Sequence, residues 1–477
     1  MKELRIALAD PPKKESFYYT SFPNLGLLYL AGSLREKFGE RCRVLLLDGH
    51  QSMAEHLGSL QRFTPHLYGL SFTYFTRFLA FRTVEQVRRH LPDLPILCGG
   101  PMPTAASREV LESCPADICA LGEGESTLCE LAEHFLDGKG GLQDVDGLVY
   151  RDSQGRLHRT AKRSFAADLD KIPAPAWDLI EFRRYPGWPM HRAKPQIQIQ
   201  VSRGCPFNCN FCSNPVWKYN KPWLRYRSPR NIAKEVQLLY QTGAREIYLS
   251  ADEFNFSESW CLEVCHELAG LGHADLYFNC NIRPDVMTPR MAKAFKKANL
   301  WCAHVGIDSG NQRTLDGVGK KVQVQQIVET CRILKENDLN VFGFVMLFHA
   351  WEEEDRLCWE GPAEVKNTLR FCRYLLRSKL LDYMSWQVAT PMPGSRLWDT
   401  AGKYDLFPEK EATCIYTRNL ALPGLGTAQV RLALIKGLWL KNRHYLKNGR
   451  VNWRDQFPAI WPNLRVMLGF PPPKGSY

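Results

Sequence analysis

Through the first ~140 residues, short runs that are apolar throughout alternate with runs that are apolar on one helical face only. "ELRIALADPP", "CRVLLLDGH", "HLYGLSF", "PILCGGP" and "ADICALGEGE" are the uniform runs, each ending in a polar or glycine-bearing turn. "LGLLYLAGSLREKFG", "LAFRTVEQVRRHL", "REVLESC" and "STLCELAEHFLDG" carry the 3.6-residue period of amphipathic helices. Strands that are apolar on both faces and alternate with helices predict a parallel sheet covered on both sides. Ligands of such sheets bind at the carboxyl ends of the strands. Those ends carry Asp10, Pro11 and Pro12, then Ser71 and Thr73, Gly99 and Gly100, and Gly122, Glu123, Gly124 and Glu125.

The pattern breaks over residues 141–190. "DGLVYRDSQGRLHRT" reads as a β-hairpin turning at Ser153, Gln154 and Gly155. "DLDKIPAPAWDLI" is broken by proline and predicts an extended linker. A second alternating series follows, with "QIQIQVS", "EIYLSADEF", "LYFNCNIR", "AHVGIDSG", "VFGFVMLF" and "YMSWQVATP" as strands and helical runs such as "PRNIAKEVQLLYQTG" between them. Six strands with intervening helices predict a partial (β/α)6 barrel, whose active residues belong at strand carboxyl ends. The expected organisation is an α/β sheet domain over 1–140, a linker with hairpin over 141–190, the barrel over 191–400 and a basic helical extension over 401–477.

Composition changes this picture in two places. The net charge is +12, and from Val430 onward the chain holds nine Lys and Arg against one acid, Asp455. The bland reading of this tail is a helical cap with a solvated basic face. Its tryptophans also suit a membrane surface, and its charge suits steering of an anionic substrate. It contains no nucleic-acid-binding module, so no nucleic acid is expected. No apolar run is long enough to span a bilayer, and the early charges of the N-terminus do not fit a signal peptide. A cytoplasmic location is expected, with peripheral membrane contact left open.

The second change comes from the cysteines, of which there are 16. Most read as small buried hydrophobes in a reducing compartment, including Cys261 and Cys265 on one predicted helix. Cys205, Cys209 and Cys212 in "VSRGCPFNCNFC" differ, because they are spaced Cys-x3-Cys-x2-Cys on a loop leaving the first barrel strand. Structural zinc sites close with four ligands, and ordinary cubane clusters take four cysteines. Three thiolates imply an open metal position. A zinc knuckle or three unrelated thiols is the alternative.

This motif resembles the signature of the radical S-adenosylmethionine superfamily. "PNLGLLYLAGSLRE", "GLSFT", "CGGPMPTA" and "LGEGEST" resemble the Rossmann-like cobalamin-binding domain that precedes the radical domain in one large subfamily; a nucleotide-binding or purely structural domain is the other reading. The resemblance covers residues 1–400 and leaves the tail uncovered. It implies a [4Fe–4S] cluster on Cys205, Cys209 and Cys212, S-adenosylmethionine chelating the fourth iron, and cobalamin held by Ser71, Thr73, Gly99, Gly100, Gly122, Glu123 and Gly124. It implies that Phe211 lies near the adenine and that Asp252 and Glu253 grip the ammonium of S-adenosylmethionine. It implies further contacts from Arg283, Asp308 and Ser309; a structural ion pair is the other reading of Arg283. Relatives often place His where Met102 stands, and Glu where Asp308 stands. His50, in "DGHQSM", nearly mimics a cobalt-ligand motif but reads as a loop histidine. In place of a glycine-rich turn this chain has "HAWEEEDR", in which His349 is either a polar contact or a structural histidine.

The activity the resemblance implies is methylation of an unactivated carbon, through a 5′-deoxyadenosyl radical and methylcobalamin. The substrate would be a small-molecule, lipid or carrier-bound compound, and a flavodoxin or ferredoxin would donate electrons. A cobalamin-dependent cyclase, ring-rearranging enzyme or oxidase is the alternative within the family. A non-catalytic iron–sulfur or zinc protein is the alternative outside it.

Overall fold

The computed structural model describes residues 3–14, 20–138, 140–218, 220–408 and 417–448. The described residues form two compact units. One runs up to Tyr185 and adds Val216–Arg225; the other holds Pro186–Pro215 and the chain from Tyr226 onward.

In the first unit β1 (Leu4–Ala9), β2 (Cys42–Leu47), β3 (Leu67–Ser71), β4 (Ile96–Gly99), β5 (Ile118–Ala120), β6 (Leu148–Arg151) and β7 (Leu157–Arg159) form one sheet in the order β2-β1-β3-β4-β5-β6-β7. The first five are parallel, with Ile6 level with Val44 on one side and with Leu67 on the other. β6 and β7 add antiparallel, so the hairpin of the expected linker extends this sheet. Helices α1 (Leu25–Phe38), α2 (Met53–Phe63), α3 (Arg77–His90), α4 (Pro101–Ser113) and α5 (Glu125–Asp137) fill the connections. Their ends follow local chemistry. Ser52 and Glu55 form a reciprocal capping box on α2, and Gly138 closes α5 in the left-handed region. Ile6, Leu8, Leu27, Ala31, Leu34, Leu128 and Leu131 are fully buried between sheet and helices. Strand order reverses between β1 and β3, which places a crevice at their carboxyl ends.

The second unit is an open barrel. β8 (Gln196–Gln200), β9 (Glu246–Ser250), β10 (Tyr277–Ile282), β11 (Leu300–Asp308), β12 (Asn340–Leu347) and β13 (Tyr383–Val388) pair in sequential order and in parallel. α6 (Pro229–Gln241), α7 (Glu258–Gly270), α8 (Pro289–Lys297), α9 (Gln312–Gly317), α10 (Val324–Glu336) and α11 (Pro362–Arg377) connect the strands; α12 (Arg396–Lys403) and α13 (Thr427–Asn448) follow β13. Cys261 and Cys265 are buried in α7, as expected of core thiols.

The amino-terminal end of the barrel is tied to the segment that precedes β8. Glu246, at the start of β9, accepts from the backbone N–H groups of Arg192 at 2.5 Å and Ala193 at 2.9 Å, and from the side chains of Gln196 at 2.6 Å and Asn279 at 2.7 Å. The chain so tethered stacks Trp188 on His304, ring centroids 4.5 Å apart. "HAWEEEDR" forms an antiparallel hairpin, Ala350–Glu353 with Arg356–Trp359, rather than a glycine turn.

Candidate active site

β8 delivers the chain into the cysteine loop, and three other segments pin that loop. Asn210, nearly buried, donates its backbone N–H to the Val318 carbonyl at 2.8 Å and its side-chain amide to the Ala350 carbonyl at 2.7 Å. Its own carbonyl accepts from the N–H of Leu397 at 2.8 Å, and Arg396 donates to the Asn208 carbonyl at 2.7 Å. All three cysteines are free thiols. The Cys212 sulfur accepts the N–H of Asn214 at 3.4 Å.

Burial pushes the thiols of Cys205 and Cys212 up to about 12 and raises that of Cys209. Buried thiols resist ionisation until a cation arrives, so metal binding would release their protons. Among the described residues, no three His, Cys, Asp or Glu side chains converge on a single-ion centre. A cubane, by contrast, gives each thiolate a different iron and leaves the sulfurs well apart. One buried and two half-buried thiols on one anchored loop, with a main-chain N–H on one sulfur, fit a cluster.

The strand ends surround this loop. Asp252 and Glu253 follow β9, and their charge is felt at both Cys205 and Cys212. The Glu253 Oε2 atom is buried without a hydrogen-bond partner. Desolvation pushes its carboxyl up to about 8, against the opposing pull of Lys320 and Arg283. An orphaned buried carboxylate is costly unless a ligand completes it, and a ligand ammonium would do so. Asp252 is exposed at the same turn. Phe254, next in the chain, is instead a core residue packed on Trp260 and Phe295.

Three predicted contacts need correction or refinement. Arg283 is 2% exposed, with its guanidinium 3.5 Å from the Phe207 ring centroid and 2.6 Å from Asp285, and it donates to the Lys320 carbonyl. Its guanidinium thus has Asp285, the Phe207 ring and the Lys320 carbonyl as neighbours within the protein. Ser309 is fully buried and donates to Glu360 at 2.7 Å, with Thr368 at 3.2 Å. Its hydroxyl is engaged within the protein by Glu360 and Thr368. Asp308, at φ +54°, is ion-paired with Lys320. Phe211 stays at the loop, its ring 5.3 Å from that of His349. His349 is fully buried, and neither ring nitrogen has a partner.

Lys320 and Asn255 were not visible in the sequence. Asn255 accepts the N–H of Arg283 at 2.8 Å and donates to its carbonyl at 2.9 Å, tying the turns after β9 and β10 together. A single asparagine after an acidic pair carries no pattern that announces this.

The first unit offers a different surface. Gly100 has φ +96°, and a Cβ there would sit 2.9 Å from the Phe72 carbonyl oxygen and the Ser71 hydroxyl. A Cβ on neighbouring Gly99 would meet nothing within 4 Å, so the strand end opens onto free space. Gly122 has φ +77°, and its N–H is taken by the Thr104 hydroxyl at 3.0 Å. Gly124 precedes α5 against Leu30. Thr73 bonds Thr76 through its N–H at 3.1 Å. Glu123 is held by Arg225 in a two-pronged ion pair, with one contact at 3.0 Å, so its carboxylate is committed within the protein. A carboxyl edge of glycines and hydroxyls around open space fits a bulky, flat group such as a corrin. His50 lies beyond β2, bonded to Asp48 at 3.2 Å, and Tyr185 donates to the same carboxylate at 3.0 Å. That network accounts for it as a loop histidine.

Residues 199–357 match the model of the Radical SAM superfamily, and residues 18–132 match the B12 binding domain. The chain is 28% identical over 412 residues to an uncharacterized methyltransferase of Pyrococcus horikoshii, covering 84% of each. It is 26% identical over 400 residues to the anaerobic magnesium-protoporphyrin IX monomethyl ester cyclase of Rubrivivax gelatinosus, covering 81% of this chain and 68% of the cyclase. In fold it is similar to the radical S-adenosylmethionine methyltransferase TsrM of Kitasatospora setae, solved with cobalamin and a [4Fe–4S] cluster. The TM-score is 0.66 at 17% identity, over 84% of this chain and 75% of TsrM.

Proposed function

This chain belongs to the cobalamin-dependent radical S-adenosylmethionine enzymes, and from that premise we propose that it methylates an unactivated carbon of a small molecule. The observation that carries the methyl-transfer reading is the 28% identity to a methyltransferase along 84% of both chains. When bound, the cluster, S-adenosylmethionine and cobalamin supply one-electron cleavage and a transferable methyl group; the protein's task is to hold and shield them.

Cys205, Cys209 and Cys212 would hold the cluster. Glu253, with Asp252, would receive the ammonium of S-adenosylmethionine, because its Oε2 atom is buried without a partner. Phe211 would flank the adenine. Arg283 and Asp308 would line the pocket, each with an ion-pair partner in the protein, Asp285 and Lys320. The glycine edge of the first unit, with Ser71 and Thr73, would take cobalamin.

A small one-electron carrier of the flavodoxin or ferredoxin kind would supply the reductant. On α13, Leu432, Ile435, Trp439 and Leu446 are exposed beside Arg431, Lys436 and Arg443. No helix of the described residues is long and apolar enough to cross a membrane. This face supports at most a peripheral contact, tested by flotation with anionic vesicles. The rest of the basic tail, 449–477, lies outside the described residues.

The cyclase relatives favour a second reading, a non-methylating reaction in the same site. Turnover with methyl-labelled S-adenosylmethionine separates the two: label in the product supports methylation, and unlabelled product overturns it. A non-catalytic metal protein would yield no 5′-deoxyadenosine on reduction.

A further inference from the structure

The turn carrying Lys320 is built onto the cysteine loop. Val318 accepts the backbone N–H of Asn210 at 2.8 Å, and a Cβ on Gly319 would come within 3.5 Å of the Asn208 carbonyl. Gly319 needs its left-handed φ of +70°, and Lys321 follows at +56°. This turn sends the Lys320 side chain inward, where it is 4% exposed. Its ammonium donates to the Gly306 carbonyl at 2.6 Å and pairs with Asp308, while its carbonyl accepts from Arg283. Lys320 therefore touches the ends of two strands through side chain and main chain while its turn is bonded between Cys209 and Cys212.

The charges around this loop do not balance evenly. Asp252, Glu253 and Asp308 are the acids acting on the cysteines, and Lys320 and Arg283 are the cations. Arg283 has a carboxylate partner in Asp285, and Lys320 has one in Asp308. Lys320 is buried, and its turn is hydrogen-bonded at Val318 to Asn210, the residue next to Cys209. A buried charge in a low-dielectric site acts strongly over such distances, and potentials of iron–sulfur clusters respond to nearby charge.

We propose that Lys320 is a positioning residue that raises the reduction potential of the cluster at its Cys209 corner, with Asp308 moderating that effect. Adding one electron to the cluster makes it more negative, and a fixed cation nearby favours that state. The proposal rests on the cluster reading above, and wild type tests that reading first.

The experiment is a redox titration of anaerobically reconstituted full-length protein with titanium(III) citrate, without S-adenosylmethionine, followed by electron paramagnetic resonance. If wild type assembles no cubane, the cluster reading itself falls. If it does, Lys320→Met should lower the reduced-to-oxidised ratio about tenfold at a fixed solution potential, a negative shift of about 59 mV for one electron. Lys320→Arg should stay near wild type. Asp308→Asn should shift the potential in the positive direction, because it frees the ammonium from its counter-charge. An unchanged Lys320→Met, or an arginine variant shifted as far as the methionine one, overturns the proposal. Should Lys320→Met fail to retain a cluster, Lys320→Gln decides: a potential unchanged from wild type overturns it.

Discussion

Both units end parallel strands in loops rich in polar residues and glycine, yet the residues there differ in kind. The first sheet ends in Gly99, Gly100, Gly122 and Gly124 with the hydroxyls of Ser71 and Thr73. Of the acids at that edge, Glu123 is paired with Arg225 and Asp10 with Lys13. The barrel ends in thiols and in buried charges: Glu253, Arg283, Asp308 and Lys320. A large preformed cofactor needs room and backbone contacts, which glycines supply at little steric cost. A cluster and a charged co-substrate need ionised groups held out of water, and those are stable there only in mutual pairs or with the ligand present.

The comparison breaks most visibly at the thiols. Cys209→Ser should remove the broad absorbance near ~400 nm and cut 5′-deoxyadenosine formation by at least about 100-fold, the scale of losing a reaction-essential group. Cobalamin retention by the first unit should not change. Loss of both cofactors in that variant, by ultraviolet–visible titration, would show that the units do not bind independently.

Acid should separate the units next. Burial lowers His56 in the first unit to about 4 and His304 in the barrel to about 3. Both fold as neutral rings, while the unfolded chain takes up protons below ~6.5. Stability from each is therefore fully present above ~6.5 and is lost as pH falls toward the folded value. The expected loss is about 3 kcal/mol for His56 and somewhat more for His304. Hydrogen exchange resolved by unit between these pH values checks the order, and His56→Leu should flatten the slope of the first unit alone.

Glu253→Gln tests the charged character of the barrel mouth. It keeps the shape and removes the counter-charge for an ammonium, so affinity for S-adenosylmethionine should fall about 10-fold or more, the worth of a hydrogen bond to a charged group. Equilibrium dialysis with reconstituted protein measures it; unchanged affinity removes Glu253 from the site.

The smallest effect is expected at Gly100. Gly100→Ala places a side chain at φ +96° beside the Phe72 carbonyl and should cost about 1–3 kcal/mol. Cobalamin retention should drop while the cluster absorbance stays. Equal loss of both would erase the distinction between a shape-built edge and a charge-built one.

The sequence by itself determined the elements and their two alternating series, because strands buried on both faces must be apolar throughout and helices must be apolar on one side. It also determined the cluster loop, because three ligands from one short segment need no tertiary help to be recognised. Tertiary structure decided which polar strand-end residues face the site. Ser309 and Asp308 are adjacent in sequence, yet one bonds Glu360 behind the strand and the other pairs with Lys320 beside the cysteines. Successive residues leaving a strand point to opposite sides, and a left-handed residue such as Asp308 redirects the chain further. Lys320 and Asn255 reach the site through turns whose placement depends on contacts far away in the chain, and no local pattern encodes such contacts. Which metal the loop takes was local chemistry; which charges surround it was settled only when distant turns packed against one another.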